Sequence, residues 1–197
     1  VFAGFLLFAG ALGDRFGRKL ALLCGLAVFA GAAVAASQAG DPAQLIALRA
    51  VMGIGAALIM PATLSILTHV FPPQERGKAI AVWAGFAGAG GAIGPLMSGL
   101  LLEHFWWGSV LFINVPIALV AFVAIAAYVP SSRDADELPL DPVGALLSIV
   151  GLAALVFGII NGGEHGWTAP ETLAGFAVGV VGLAAFVRYE LHLDHPM

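Results

Sequence analysis

Long apolar runs in this chain alternate with short polar interruptions. Residues 20–40, 50–74, 79–102, 104–132, 142–163 and 172–187 contain no Asp, Glu, Lys or Arg. A helix that crosses the hydrocarbon of a bilayer needs about 20 mostly apolar residues. The pattern therefore predicts spans at about 1–12, 19–38, 43–68, 78–102, 109–130, 142–161 and 170–188. The first is shortened by the start of the sequence, and the last uses Glu171 and Arg188 at its interfaces. Turn-forming residues fall between them, in QAGDP (38–42), FPPQERGK (71–78), EHFWWGS (103–109) and NGGEHGWTAP (161–170). No run alternates apolar and polar residues with period two, which disfavours a membrane barrel. The fold class read from the pattern is an all-α polytopic membrane protein of about seven helices.

Composition sharpens this picture. The chain is 60% hydrophobic and 10% charged, against roughly a quarter charged residues in an average soluble domain. A net charge of −4 with scattered bases argues against nucleic acid as a partner. The single Cys24 excludes an intrachain disulfide framework and reads as a small apolar residue. His69, His104, His165, His192 and His195 lie at turns or tails without metal-ligand spacing, so no metal site is expected. Neither a Ser-His-Asp nor a Cys-His arrangement appears, and no cofactor or enzymatic activity is expected. The start at Val1, inside an apolar run with no preceding Met, reads as a piece whose first helix is missing.

The bases give a sidedness. Arg15, Arg18 and Lys19 follow the first span, Arg76 and Lys78 the third, Arg133 the fifth, and Arg188 closes the seventh. All lie on one side, while the opposite turns carry Asp41, Glu103, Glu164 and Glu171 but no Lys or Arg. Basic loops stay in the cytoplasm. That rule places the loops at 13–18, 69–77 and 130–141 and the C-terminal end on the cytoplasmic side of an inner membrane. Trp106, Trp107 and Trp167 then sit at the outer interface.

One turn carries more than topology requires. In GALGDRFGRK, Gly10, Leu12, Asp14, Arg15, Gly17, Arg18 and Lys19 follow the pattern G-x-L-x-D-R-x-G-R-K. Gly13 and Gly17 permit a tight turn and close backbone approach. Asp14 is positioned to cap the following helix. An anchoring turn with no moving part would need no more than this. The pattern resembles the loop between the second and third helices of the major facilitator superfamily. By that resemblance the turn is a cytoplasmic latch between two halves of a transporter, with Asp14 and Arg18 carrying the role.

Two further motifs carry the same resemblance. Leu45, Arg49, Gly53, Gly55, Ala56 and Ala57 match the fourth-helix motif of proton-coupled members, with Met52 where the family often has Gln. Arg49 is the one base inside a span, and a charge in hydrocarbon costs several kcal/mol. It either snorkels outward or takes part in proton coupling. No Asp or Glu lies in the interior of a span to pair with it. Along 83–102, small residues recur every fourth position as Gly90, Gly94, Ser98 and as Gly91, Pro95, Gly99. Such stripes let helix backbones touch, and Pro95 bends the helix. Gly90, Gly94, Pro95, Ser98 and Gly99 resemble the fifth-helix motif of exporters, with Ser98 in place of a glycine. The GAGGAIG segment does not space as a nucleotide-binding loop.

Asn114 and Pro116, in FWWGSVLFINVPIALVAF, read as an interhelical hydrogen-bonding residue and a helix-start proline, with Asn114 also a candidate polar group of a substrate cavity. The phrase resembles the fourteen-helix drug:proton antiporters that handle quaternary ammonium compounds. On this reading residues 1–130 are part of an N-terminal bundle, helices two to six. Residues 131–141 are a cytoplasmic loop, 142–188 the two linker helices, and 189–197 the start of a connection to a second bundle. The implied function is export of lipophilic, cationic compounds by alternating access, powered by the proton gradient, in a protein that is monomeric when complete. A nutrient or metabolite transporter of the same superfamily and a non-transporting membrane sensor are the alternatives.

Overall fold

The computed structural model describes residues 2–130 and 141–193. Every regular element among them is helical: α1 (Phe2–Phe16), α2 (Arg18–Ala36), α3 (Pro42–Val70), α4 (Pro73–His104), α5 (Ser109–Phe112), α6 (Asn114–Tyr128), α7 (Pro142–His165) and α8 (Pro170–Glu190). Six rods are long and apolar enough to cross a membrane, α5 and α6 together forming one of them. The expected spans are recovered, with α1 the short first one. The loop expected at 131–141 lies outside the described residues except for Asp141, as does the tail from 194 onward.

The helix starts are set by proline and carboxylates. Pro42, Pro73, Pro142 and Pro170 open α3, α4, α7 and α8, where a missing N–H costs nothing and φ is already helical. Asp41 accepts a hydrogen bond from the Gln44 amide at 2.8 Å. Asp141 Oδ1 accepts from the amides of Val143 and Gly144 at 3.1 and 3.0 Å. Each satisfies orphan donors of a first turn.

Two boundaries differ from the sequence expectation. The loop expected at 69–77 shrinks to Phe71 and Pro72, because Glu75, Arg76 and Lys78 form the first turns of α4. Charged residues are compatible with a helix that extends beyond the hydrocarbon. The span expected at 109–130 breaks at Ile113. Pro116 has no N–H to offer the Phe112 carbonyl four residues back, so the ladder is interrupted there.

The core is built around α2. Ala21, Leu22 and Leu26 of α2 pack with Ala62 of α3 and Ala118 of α6. Further along, Ala32, Ala33 and Ala36 pack with Met52 and Leu111. α1 lies against α3 and α2, and α7 packs along α1 with α8 on its other side. Large apolar residues such as Val120, Val123, Leu146 and Val181 face outward, as a lipid-facing surface requires. α4 differs from the rest. It touches α3 and α5 but has no buried residue.

Candidate functional site

The signature turn is tighter than expected. The loop at 13–18 collapses to Gly17 alone, between the end of α1 and the start of α2. Gly17 has φ 106° and ψ 127°, a region that a residue with a Cβ rarely adopts. Its amide donates to the Gly13 carbonyl at 3.0 Å, and its own carbonyl accepts from the Ala21 amide at 3.0 Å. A Cβ at Gly13 or Gly10 would meet only ordinary contacts, Ala21 at 3.5 Å and Pro61 at 3.9 Å. The required glycine is therefore Gly17.

This geometry corrects the expected role of Asp14. It lies in the last turn of α1 and does not cap α2, whose N-cap is Gly17 with no side-chain bond. Its Oδ1 accepts instead from Arg18 Nε at 3.0 Å. The pair joins the two helices across the one-residue turn, with the Arg18 side chain 17% exposed and that of Asp14 43%. A partly exposed pair of this kind contributes up to about 1 kcal/mol. Arg15 lies 5.6 Å from the centroid of the neighbouring Phe16 ring. Lys19 reaches farther. Its Nζ donates to the Ala126 carbonyl at 2.9 Å, one of the last carbonyls of α6 and so without a partner in its own helix. The signature thus ties α2 to the end of α6 as well as to α1.

At the far end of the bundle, a cavity of about 680 Å³ opens between α3, α4 and α5–α6. Arg49, Gly90, Gly94, Ser98, Leu111 and Asn114 are among its lining residues. Three features that the sequence singled out separately meet there. Arg49 is exposed, two turns into α3, and among the described residues it has no ion pair or hydrogen bond. Met52, one turn on, points elsewhere: it is buried in the core with Ala32, Ala33, Ala36 and Leu111. The residue standing in place of a polar Gln is thus packed between helices and away from the cavity.

Two expectations about this region change. Among the described residues Asn114 makes no bond across a helix interface; its Nδ2 donates to the Leu111 carbonyl at 3.0 Å, within the broken turn that Pro116 creates. Nor do the glycines of the α4 stripes touch a neighbouring helix among the described residues. A Cβ added at Gly90, Gly91, Gly94 or Gly99 would meet nothing within 4 Å. α4 runs unbroken past Pro95 from Pro73 to His104.

Close glycine packing occurs elsewhere. A Cβ at Gly55 would lie 2.8 Å from the Gly25 carbonyl oxygen and from the Phe29 amide nitrogen. In the α7–α8 hairpin, Gly151 faces Leu183, Gly158 faces Phe176 and Gly175 faces Gly158, each at 2.9–3.2 Å from such a Cβ. Sequence reasoning missed this seam. Gly144, Gly151 and Gly158 recur every seventh residue on α7, and that spacing was the available signal. The hairpin's turn is closed by polar groups. Asn161 Nδ2 donates to Thr172 Oγ1 at 3.0 Å, and the Thr172 hydroxyl donates to the Gly166 carbonyl at 3.1 Å.

An all-helical bundle with six membrane-length rods agrees with what the comparison with known families finds. The family model described as Major Facilitator Superfamily matches residues 1–189. The chain belongs to the Major Facilitator Superfamily. It is 40% identical to the multidrug efflux pump LfrA of Mycolicibacterium smegmatis over 198 residues, which is 100% of this chain and 39% of that protein. It is 40% identical to the methyl viologen resistance protein SmvA of Salmonella typhimurium over 201 residues, 100% of this chain and 40% of that one. It is 37% identical to the tetracenomycin C resistance and export protein of Streptomyces glaucescens over 194 residues, 98% of this chain and 36% of that one. The chain thus spans about two fifths of the length of the curated superfamily relatives it matches.

Proposed function

We propose that the protein containing this chain is a proton-coupled multidrug exporter of the fourteen-helix branch, moving lipophilic cations out of the cytoplasm by alternating access. The observation that carries the reading is Arg49. A cation without an ionic partner among the described residues lines the same cavity as Gly90, Gly94 and Ser98 of the exporter-like helix. A buried or membrane-depth charge is retained for function, because hydrocarbon penalises it by several kcal/mol. Arg49 is suited to favour the ionised form of a carboxylic acid supplied by another segment of the complete protein or by the substrate, so that bringing the two together drives the proton off that acid. Support also comes from the relatives, whose names describe multidrug efflux, methyl viologen resistance and antibiotic export. Methyl viologen is itself an organic dication.

Sidedness belongs to the same proposal. The end of the bundle that holds Gly17, Glu75 and Arg76 carries the bases and is the cytoplasmic one. The Asp14–Arg18 pair and the Lys19 bond form the latch region there. In the complete protein they would meet a second bundle that rocks against this one.

Dye efflux from cells expressing the full-length protein tests the reading. Efflux of a lipophilic cation should stop when a protonophore is added, and Arg49→Ala should lower the proton-driven rate at least tenfold while the protein remains in the membrane. Efflux indifferent to the protonophore, or an Arg49→Ala rate equal to wild type, refutes proton coupling through Arg49.

A further inference from the structure

The base of the α7–α8 hairpin, where α7 starts and α8 ends, holds two carboxylates that the transport reading leaves unused. Asp141 is 8% exposed. Its Oδ1 caps α7 through the Val143 and Gly144 amides. Its Oδ2 is buried too, and among the described residues it has neither a hydrogen-bond donor nor an ion-pair partner. A carboxylate oxygen left this way carries a desolvation cost that no protein group offsets. Such an orphan in a native fold marks the place of a water or an ion.

That oxygen points into a gap that only a glycine leaves. A Cβ on Gly144 would collide with Asp141 Oδ2 and would lie 2.8 Å from Glu190 Oε1. One carboxylate from each end of the hairpin therefore converges on the same point. Tyr189, beside Glu190 on α8, stands alongside both. Glu190 and Tyr189 are only half-buried and adjoin solvent, whereas Asp141 closes the other side. On α1, which packs along α7, the charged residues are Asp14 and Arg15. Asp14 is paired with Arg18, and Arg15 stands over Phe16. Spacing along the sequence did not point to this pair, because the two carboxylates meet only when the hairpin closes.

We propose that Asp141 and Glu190 bind a magnesium ion at the base of the hairpin, Asp141 Oδ2 and Glu190 Oε1 serving as its protein ligands. Every donor that faces the gap is an oxygen, which suits a hard cation and not zinc or copper. No three acidic, histidine or cysteine side chains converge on one point among the described residues. The gap therefore lacks the many protein oxygens that calcium gathers. Magnesium characteristically takes one or two carboxylates and keeps waters in its remaining positions, and the half-buried α8 side leaves them room. The ion ties the first turn of α7 to the last turn of α8. It closes the end of the hairpin opposite the Asn161–Thr172 network, where the chain enters and leaves the pair of helices. This inference is independent of the direction or coupling of transport.

The test is amide hydrogen exchange of the full-length protein in phosphatidylcholine nanodiscs, stripped of divalent ions and then given magnesium chloride at constant ionic strength. At a magnesium concentration about ten times the half-saturating one, amides at 142–147 and 187–193 should exchange about tenfold more slowly, the factor set by 1 + [L]/Kd for an ion that binds only the closed base. Amides at 162–170, at the other end of the hairpin, should not respond. Asp141→Asn, which keeps a cap on α7, and Glu190→Gln should each abolish the effect. So should Gly144→Ala, which fills the gap. Unchanged exchange in α2 and α3 shows that these variants are folded. Calcium should protect less than magnesium at equal concentration. Protection that sodium chloride reproduces, that calcium exceeds, or that Asp141→Asn retains overturns the proposal. So does a wild-type protein that does not respond to magnesium, the result expected if a proton or another segment already joins the two carboxylates.

Discussion

Two glycine-rich faces of this molecule have much the same composition and opposite structural roles. In the α7–α8 hairpin the glycines are filled by the facing helix, Leu183 against Gly151 and Phe176 against Gly158. On α4 the glycines at 90, 91, 94 and 99 face open space. The first is a closed seam that makes two lipid-facing helices one unit. The second is an unused surface within this chain, on the wall of the Arg49 cavity. Glycine alone does not distinguish a finished contact from an available one; what stands opposite does.

The closed kind of packing sets the largest expected effect. At Gly55 the obstructing atoms are backbone, the Gly25 carbonyl and the Phe29 amide at 2.8 Å from an added Cβ, so no rotamer change relieves them. Gly55→Ala must push α2 and α3 apart and loosen the core around Leu26 and Ala33. Overpacking of this kind costs about 1–3 kcal/mol. The melting temperature of the detergent-solubilised full-length protein should fall by several degrees. An unchanged melting temperature would mean that the α2–α3 seam is looser than its geometry.

A smaller effect is expected from the polar end of the closed hairpin. Thr172 is fully buried and its hydroxyl links Asn161 to the Gly166 carbonyl. Thr172→Val keeps the shape and leaves those two groups without their partner, a loss of about 1–3 kcal/mol. Because it acts locally, it should appear first as faster amide exchange and easier proteolysis at 162–170. If the hairpin's turn resists proteolysis as wild type does, the network is dispensable and glycine packing alone closes the seam.

The contrast also explains what was legible in the sequence. Apolar run lengths gave the rods, and the starts of α3, α7 and α8 to within a residue. The start of α4 was misread because charge was equated with loop, whereas Glu75, Arg76 and Lys78 are helical. Asp14 was misread because it still belongs to α1, so the capping position of α2 falls to Gly17, three residues on. The motifs singled out Gly17, Arg49 and Gly94 one by one. They could not say that Arg49 and Gly94 share a cavity while Met52 turns into the core, since that depends on helix rotation. Nor could the small-residue stripes reveal what stands opposite them: α8 for those of α7, and nothing within 4 Å among the described residues for the glycines of α4.

The smallest effect on stability belongs to the open face, and it decides whether the comparison holds in the complete protein. Gly94→Ala adds a methyl that meets nothing within 4 Å in this chain, and Ala favours a helix over Gly by up to about 1 kcal/mol. If α4 remains open, Gly94→Ala should leave the melting temperature unchanged or raise it slightly, in contrast to Gly55→Ala. A loss comparable to that of Gly55→Ala would show that another segment of the full-length protein packs against Gly94. Measuring the two variants side by side separates these outcomes, because the substitution is chemically identical and only the opposing surface differs. A stable Gly94→Ala protein whose efflux is nevertheless slowed would assign the stripe to a contact made in only part of the transport cycle, since a permanent contact would also register in the melting temperature.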